Sequence, residues 1–236
     1  MAGTLWLLPV ALGDTPWQNY LPAATREAAC RLTHFVAENA KTARAELKRI
    51  GHPLPLRELA IEQLPEKPAA ADIERLLAPL RAGHDLGLMS EAGCPAVADP
   101  GALLVRRAHE LGLIVRPLTG PSSLLLALMA SGLDGQRFAF HGYLPAREPE
   151  RSSRIVELES ESARLRQTQI FIETPYRNQA LFNALLLACR QKTRLCLATD
   201  LSLDSEQIST RRMADWKSAT PPKLDKRPTV FLLLAD

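Results

Sequence analysis

The chain of 236 residues carries only four cysteines, Cys30, Cys94, Cys189 and Cys196, and none of them forms a CxxC pair or stands at zinc-finger spacing. The five histidines form no HxxxH pair. A disulfide framework and a metal site are therefore not expected, and a reducing compartment fits. Aromatic residues make up just 5%. The formal net charge is +3, too small for the total to identify a nucleic-acid binder. No apolar run approaches the roughly 20 residues of a membrane-spanning helix. The opening stretch MAGTLWLLPVALG has no basic residue ahead of Arg26, so the charged region of a secretory signal is missing. The expectation is a soluble cytoplasmic protein with no membrane association.

Several catalytic loop designs are absent as well. No GxGxxG follows the first strand pattern, which disfavours a dinucleotide site, and no GxxxxGK[ST] is present for a P-loop. GxSxG is missing, which removes the usual hydrolase elbow. The sequence has no internal repeat.

What is present is a regular alternation. Apolar residues reach 46%, enough for a substantial core. Strand patterns occupy 4–10, 32–37, 85–89, 114–118, 138–143, 169–173, 194–199, 206–210 and 229–234. Helical spacing covers 42–50, 73–81, 102–111, 151–165 and 176–191. Residues 123–131 are apolar nearly all round and read as a buried helix, whereas 62–72 reads as a loop. Alternating strands and helices predict an α/β fold. The expected domains are 1–117 and 118–236.

Three junctions share one design: a strand ends, a tight loop turns, and a capped helix begins. In SEAGCPAVADPG, Asp99 is placed to cap a helix with Pro100 at its first position. Thr174-Pro175 repeats that pair, and Gly120-Pro121-Ser122 offers a serine cap. Ligands of open α/β sheets bind at the carboxyl ends of strands, where such loops lie. Each loop also has a plain reading. Asp99, Ser122 and Ser123 are good caps, Glu91 suits a solvated loop, and Cys94 reads as a small filler with no adjacent base to activate it.

Taken in order, SEAGCPAVADPG, PLTGPSSLLLALMASGL, FAFHGYLP and IFIETPYR resemble the motifs of the tetrapyrrole methylase superfamily, the class III S-adenosylmethionine (SAM) methyltransferases. The chain is most similar to the branch that methylates a cytidine ribose 2′-oxygen in small-subunit ribosomal RNA. AENAKTAR resembles that branch's AEDTRxTR, and TDLSLDSEQI loosely resembles a later segment. The resemblance implies two α/β domains with SAM in a cleft between them, and a homodimer. It implies cofactor contacts from Pro9 in the first loop, from Glu91, Gly93, Cys94, Pro95 and Val97, and from Ser122 and Ser123. Phe140 and His141 fall on the adenine side, with Glu173, Thr174 and Pro175 closing the pocket. The sequence departs from the branch at the first loop, PVALGDTP, at Glu91 and Cys94 of SEAGC, and at Asn39, Ala40 and Lys41 of AENAK.

Because the sulfonium already activates the methyl group, the protein has mainly to align donor and acceptor. A ribose hydroxyl also benefits from a base. Glu38, Lys41, Glu91 and Glu173 are candidates, Glu38 first. Two local cation excesses favour RNA of the ribosomal small subunit as partner. One holds Lys41, Arg44, Lys48, Arg49 and Arg57 against Glu46, with Lys41, Arg44 and Lys48 on one helix face. The other holds Arg211, Arg212, Lys217, Lys223, Lys226 and Arg227 against Asp215 and Asp225. The alternatives are a small-molecule, tetrapyrrole-type methyltransferase with a large apolar pocket, and a SAM- or RNA-binding protein without catalysis.

Overall fold

The computed structural model describes residues 2–236. The chain divides into two compact α/β units, Met1–Ser122 and Ser123–Asp236.

In the first unit, β1 (Thr4–Leu8) is followed by α1 (Ala23–Ala29), β2 (His34–Ala37), α2 (Ala40–Arg49) and β3 (Ala60–Gln63). Then come α3 (Ala70–Leu76), α4 (Ala78–Arg81), β4 (Leu86–Met89), α5 (Gly101–Glu110) and β5 (Ile114–Pro117). The strands form one sheet in the order β3-β2-β4-β1-β5, every pair parallel. The inner part of such a sheet is covered on both faces, which explains the apolar runs of β1, β2 and β4. Leu5, Val36, Leu86 and Leu88 pack on one face with Leu76, Leu80 and Leu104 from the helices. Leu8, Phe35, Ala37 and Met89 face the other way, against Ala29, Ala43 and Leu47. Gly87 follows from this packing, since a Cβ there would lie 2.7 Å from the Phe35 ring.

The second unit runs α6 (Ser123–Ser131), β6 (Phe138–Tyr143), α7 (Glu150–Leu165), β7 (Thr168–Ile172), α8 (Asn178–Ala188), β8 (Arg194–Thr199), β9 (Gln207–Arg212), α9 (Met213–Ser218) and β10 (Thr229–Leu234). Its sheet order is β6-β7-β10-β8-β9. Only β6 and β7 pair in parallel, and the remaining pairs are antiparallel. Phe171 stacks on Phe231, and both join Ile155, Leu158, Leu181, Phe182 and Trp216 in one core.

Four sequence expectations change. The helix expected over 73–81 is two helices, because Pro79 has no N–H to continue the first. The loop expected over 62–72 contains the end of β3 and the start of α3; β3 is a partly exposed edge strand without an apolar run. Thr174-Pro175 does not begin a helix. The Arg177 N–H bonds the Thr174 carbonyl in a turn, and α8 starts at Asn178. Finally, α6 is only partly covered, with Leu125 52% and Met129 80% exposed. Among the described residues no helix is long and apolar enough to cross a membrane.

Candidate functional site

Because the first sheet is wholly parallel, its carboxyl edge gathers Pro9-Val10, Glu38, Leu64, Ser90-Glu91 and Leu118 in neighbouring loops. Two of these loops are stitched together. Val10 and Gly93 exchange backbone hydrogen bonds of 3.0 and 3.2 Å. Pro9 is buried, and the PLTGPSS loop lies so close that a Cβ on Gly120 would fall 2.4 Å from the Pro9 ring. The Cys94 thiol points to the Pro121 carbonyl at 3.3 Å. Burial pushes that thiol's pKa up, the opposite of what a nucleophile needs. So Pro9, Gly93, Cys94, Pro95 and Ser122 lie on one knot of loops, while Val97 is at an exposed tip, 49% accessible.

The loop from 91 to 100 is unusually bent. Gly93, Ala96 and Ala98 all have left-handed backbone, φ +75°, +65° and +61°. Such conformations are uncommon for alanine and concentrate at ligand clamps. Asp99 holds the bend. Its Oδ2 accepts the Ala96 N–H at 2.8 Å and its Oδ1 accepts the Gly101 N–H at 2.7 Å. Pro100 takes the cap position of α5, and Asp99 sits one residue earlier than expected. It still satisfies the first N–H of the helix.

Glu38 follows β2 directly and reaches this loop, its Oε1 accepting the Glu91 N–H at 3.3 Å. Its pKa is raised, first by burial and then by the charges of Asp99 and Glu91, against the pull of that hydrogen bond. Burial also raises Asp99. A cleft of about 370 Å³ lies here, lined by Glu38, Gln63, Leu64, Glu66, Glu91 and Pro100. The result is a strongly electronegative edge that holds a proton more readily than an isolated carboxylate. Lys41 lies one turn further on, on the exposed face of α2, with its N–H capped by Asn39 at 2.9 Å.

On the far side of Glu91 is a second pocket of about 160 Å³, lined by Val10, Ala11, Leu12, Gly13, Thr42, Ala43, Glu46, Arg49, Ser90, Glu91 and Ala92. Glu46 is 4% exposed. It accepts the Tyr20 hydroxyl, the Ala11 N–H at 3.4 Å and Arg49 at 2.5 Å; Arg49 in turn meets Asp14 at 3.0 Å. Burial and this carboxylate raise the Tyr20 pKa above its ordinary value. In the sequence Glu46 stands only as a lone acid among cations. The signal was its place three residues after Ala43 and one before Leu47, on the apolar face of α2.

In the second unit, Ser123 opens α6. Phe140 pairs with Ile170, and the β6 register then slips, with Gly142 at φ +65° allowing the bulge. His141 is engaged on both nitrogens, with Nε2 2.5 Å from Gln169 Oε1 and Nδ1 3.3 Å from an Arg154 amino group. Glu173 follows β7. Its Oε1 accepts the Thr174 N–H and Arg177, each at 2.6 Å, while its buried Oε2 has no partner. The Pro175 carbonyl accepts the Lys226 N–H at 3.2 Å. At the same sheet edge Arg227 bonds Asp200 at 2.8 Å, the Ser205 carbonyl at 2.7 Å and Gln207 at 3.0 Å. It pins TDLSLDSEQI, where Asp200 and Ser202 have positive φ. Arg227 is therefore a structural cation, and Arg211 stacks on Trp216 at 4.8 Å. The basic segment 211–228 is less free than its composition suggests. By contrast Lys41, Arg44 and Lys48 are all exposed on α2, and among the described residues no carboxylate pairs with them.

No protein-family model matches the chain. It is similar to curated proteins named ribosomal RNA small subunit methyltransferase I. With that of Xylella fastidiosa it is 40% identical over 146 residues, 62% of this chain and 50% of the relative. With that of Pseudomonas aeruginosa it is 37% identical over 145 residues, 60% of this chain and 50% of the relative. The chain spans about half the length of the curated relatives it matches. Among solved structures, the methyltransferase CobJ superposes with a TM-score of 0.66 at 17% identity, covering 100% of this chain and 95% of that one. The uroporphyrin-III-C-methyltransferase of Thermus thermophilus gives 0.54 at 19% identity, covering 99% and 93%. The fold is that of the tetrapyrrole methylases, two α/β domains with one parallel and one mixed sheet.

Proposed function

We propose that the chain is a SAM-dependent methyltransferase acting on RNA, with a ribose hydroxyl of small-subunit ribosomal RNA as acceptor. The observation that carries this reading is the coincidence of the similarity to ribosomal RNA small subunit methyltransferase I with the stitched, strained loop at the carboxyl edge of the first sheet. The donor set fits the cofactor. SAM carries a sulfonium and an ammonium against one carboxylate, a net single positive charge, and the edge offers Glu38, Glu91 and Asp99. The buried Glu173 Oε2 lacks a partner that a hydroxyl or ammonium would supply. Within the first unit, Gly93, Cys94, Pro95 and Ser122 would hold the cofactor chiefly through backbone.

SAM supplies a methyl group already activated by its positive sulfur. The protein orients an acceptor and takes up its proton. Glu38 is suited to that step, because its raised pKa makes it a stronger base than an ordinary carboxylate. Glu173, whose Oε1 is held by Arg177, is suited to positioning. Lys41, Arg44 and Lys48 would meet phosphates. A homodimer belongs to the same reading, supported by the exposed apolar Leu125 and Met129 of α6.

The test is transfer of labelled methyl from SAM to small ribosomal subunits, followed by mapping of the modified nucleotide. Label in the ribose of small-subunit RNA is expected. A second reading, a tetrapyrrole-type small-molecule methyltransferase, is favoured by the CobJ-like fold and predicts label in the ring compound and none in RNA. SAM binding with no transfer to either acceptor would leave a non-catalytic binder.

A further inference from the structure

The buried carboxylate of Glu46 and its three donors have no role in the reading above. We infer that Glu46 is a positioning residue for the cofactor loop: it holds the Val10–Ala11 peptide in the orientation that keeps Gly93 and its neighbours in place. This rests on the proposed binding of SAM at that loop and adds the group that sets the loop's geometry.

Three observations support it. The first is one peptide plane gripped from both sides. Its carbonyl, that of Val10, accepts the Gly93 N–H at 3.2 Å, and its N–H, that of Ala11, donates to Glu46 Oε1 at 3.4 Å. In a planar trans peptide these two groups point in opposite directions. A rotation that takes the Ala11 N–H off the carboxylate therefore takes the Val10 carbonyl off Gly93. The Gly93 carbonyl accepts the Val10 N–H at 3.0 Å and the Ser90 hydroxyl at 3.3 Å. A Cβ on Gly93 would lie 3.4 Å from Leu12 Cδ2, so the next residues of the first loop close over it. The cofactor loop is set against the first loop, and the first loop against α2.

The second observation is that the carboxylate is aimed. Its Oε1 also accepts the Tyr20 hydroxyl, and its Oε2 accepts Arg49 at 2.5 Å. With both oxygens engaged it cannot turn from Ala11. Arg49 adds a second tie to the same loop through Asp14, an exposed contact worth little by itself. The third is the position. Ala43, Leu47 and Ile50 are buried on the same face of α2, where an apolar side chain would serve packing as well. What the carboxylate adds there is an acceptor for a buried N–H that must find one. Without it, the peptide would turn toward water in the pocket of about 160 Å³ that Val10, Ala11 and Glu46 line.

Calorimetry with SAM and amide hydrogen exchange by NMR, both on the full chain, test this. Glu46→Leu should weaken SAM binding by about tenfold or more. Its Ala11 and Gly93 amides should exchange about tenfold faster or more, while strand amides such as Leu7 and Leu88 keep their protection and show the unit folded. Glu46→Gln, which keeps an acceptor oxygen and drops the charge, should stay within about threefold of the intact protein. Tyr20→Phe, which removes one of the donors that aim the carboxylate, should lose about two- to fivefold, and it decides the matter if Glu46→Leu does not fold. A change in only one of the two readings overturns the assignment. Faster exchange with SAM affinity intact would leave Glu46 a structural tie, and lost affinity with Gly93 still protected would put the carboxylate on the cofactor itself. Equal losses in Glu46→Leu and Glu46→Gln also overturn it, since charge would then be acting in place of the bond to Ala11. Intact protein that does not bind SAM sinks the proposed function, and Gly93 exchange in Glu46→Leu then decides the grip on the peptide by itself.

Discussion

Replacing Gly101 with alanine sets two effects of opposite sign against each other. In an ordinary helix the change stabilises by about 1 kcal/mol, because glycine loses more backbone freedom on folding. At the start of α5 the new Cβ would sit 2.8 Å from Asp99 Oδ1 and 3.0 Å from Leu88 Cδ2. The Leu88 side chain is held in the core, and Asp99 is held by two N–H bonds. Overpacking of this kind costs about 1–3 kcal/mol. Pushing the carboxylate aside also weakens charge-assisted bonds worth about 1.5–3 kcal/mol each. The crowding therefore wins, with a net loss of about 1–3 kcal/mol. With a urea slope of about 2 kcal/mol/M the midpoint should fall by about 0.5–1.5 M. Gly135→Ala is the control, since nothing lies within 4 Å of the added Cβ. It should be neutral or stabilising by a few tenths of a kcal/mol, about 0.4 at least where the backbone suits alanine. A Gly101→Ala protein as stable as the original would refute the account of Asp99 as the clasp of this bend.

Other changes follow from the same geometry. Glu38→Gln should reduce methyl transfer by about 10²–10⁴-fold. Its folded-state pKa is raised, so its contribution to stability is fully present below the ordinary value of 4.5 and is lost as pH rises through the folded value. Thermal melting should show the variant gaining on the original as pH climbs from 4 to 7, and a parallel pair of curves would count against a raised pKa. Arg227→Ala breaks the Asp200 pair and frees a strained segment, costing about 2–4 kcal/mol in urea unfolding; a change under about 0.5 kcal/mol would make the latch a surface pair. Cys94 should react with iodoacetamide at neutral pH more slowly than free cysteine, because burial disfavours its thiolate. Mass spectrometry showing equal rates would contradict that.

Most strands of the two sheets are legible in the sequence because they are short apolar runs between turn residues. The runs at 138–143, 194–199 and 229–234 match observed strands residue for residue. Edge and amphipathic elements were not. AIEQ of β3 has no apolar run, and α1 and α9 pack only a few residues each, among them Ala29, Met213 and Trp216. The motif loops were legible in position, but their internal geometry was not. Asp99 clasps the bend from one position before the cap, and Thr174 serves a turn where a cap was expected. The Glu46–Tyr20–Arg49 cluster was invisible because its members lie up to 29 residues apart and meet only through tertiary packing. Arg227 was read as a free cation for the same reason: its partners come from another loop.

The strand order of the second sheet bears on how the chain is made. β10 is the last of its strands in sequence yet lies in the middle, flanked by β7 and β8. Until residue 234 has left the ribosome, β7 and β8 each present a bare edge, with Phe171 and Leu197 uncovered between them. Unpaired apolar edges of this kind are where nascent chains associate wrongly. In the parallel sheet the central gap between β1 and β2 is filled early, by β4 at residues 86–89, and its last strand, β5, joins at the rim. Synthesis therefore delivers one half ready to close and another that waits for its keystone, and a stalled or clipped chain would spare the first while leaving the second open to chaperones and proteases.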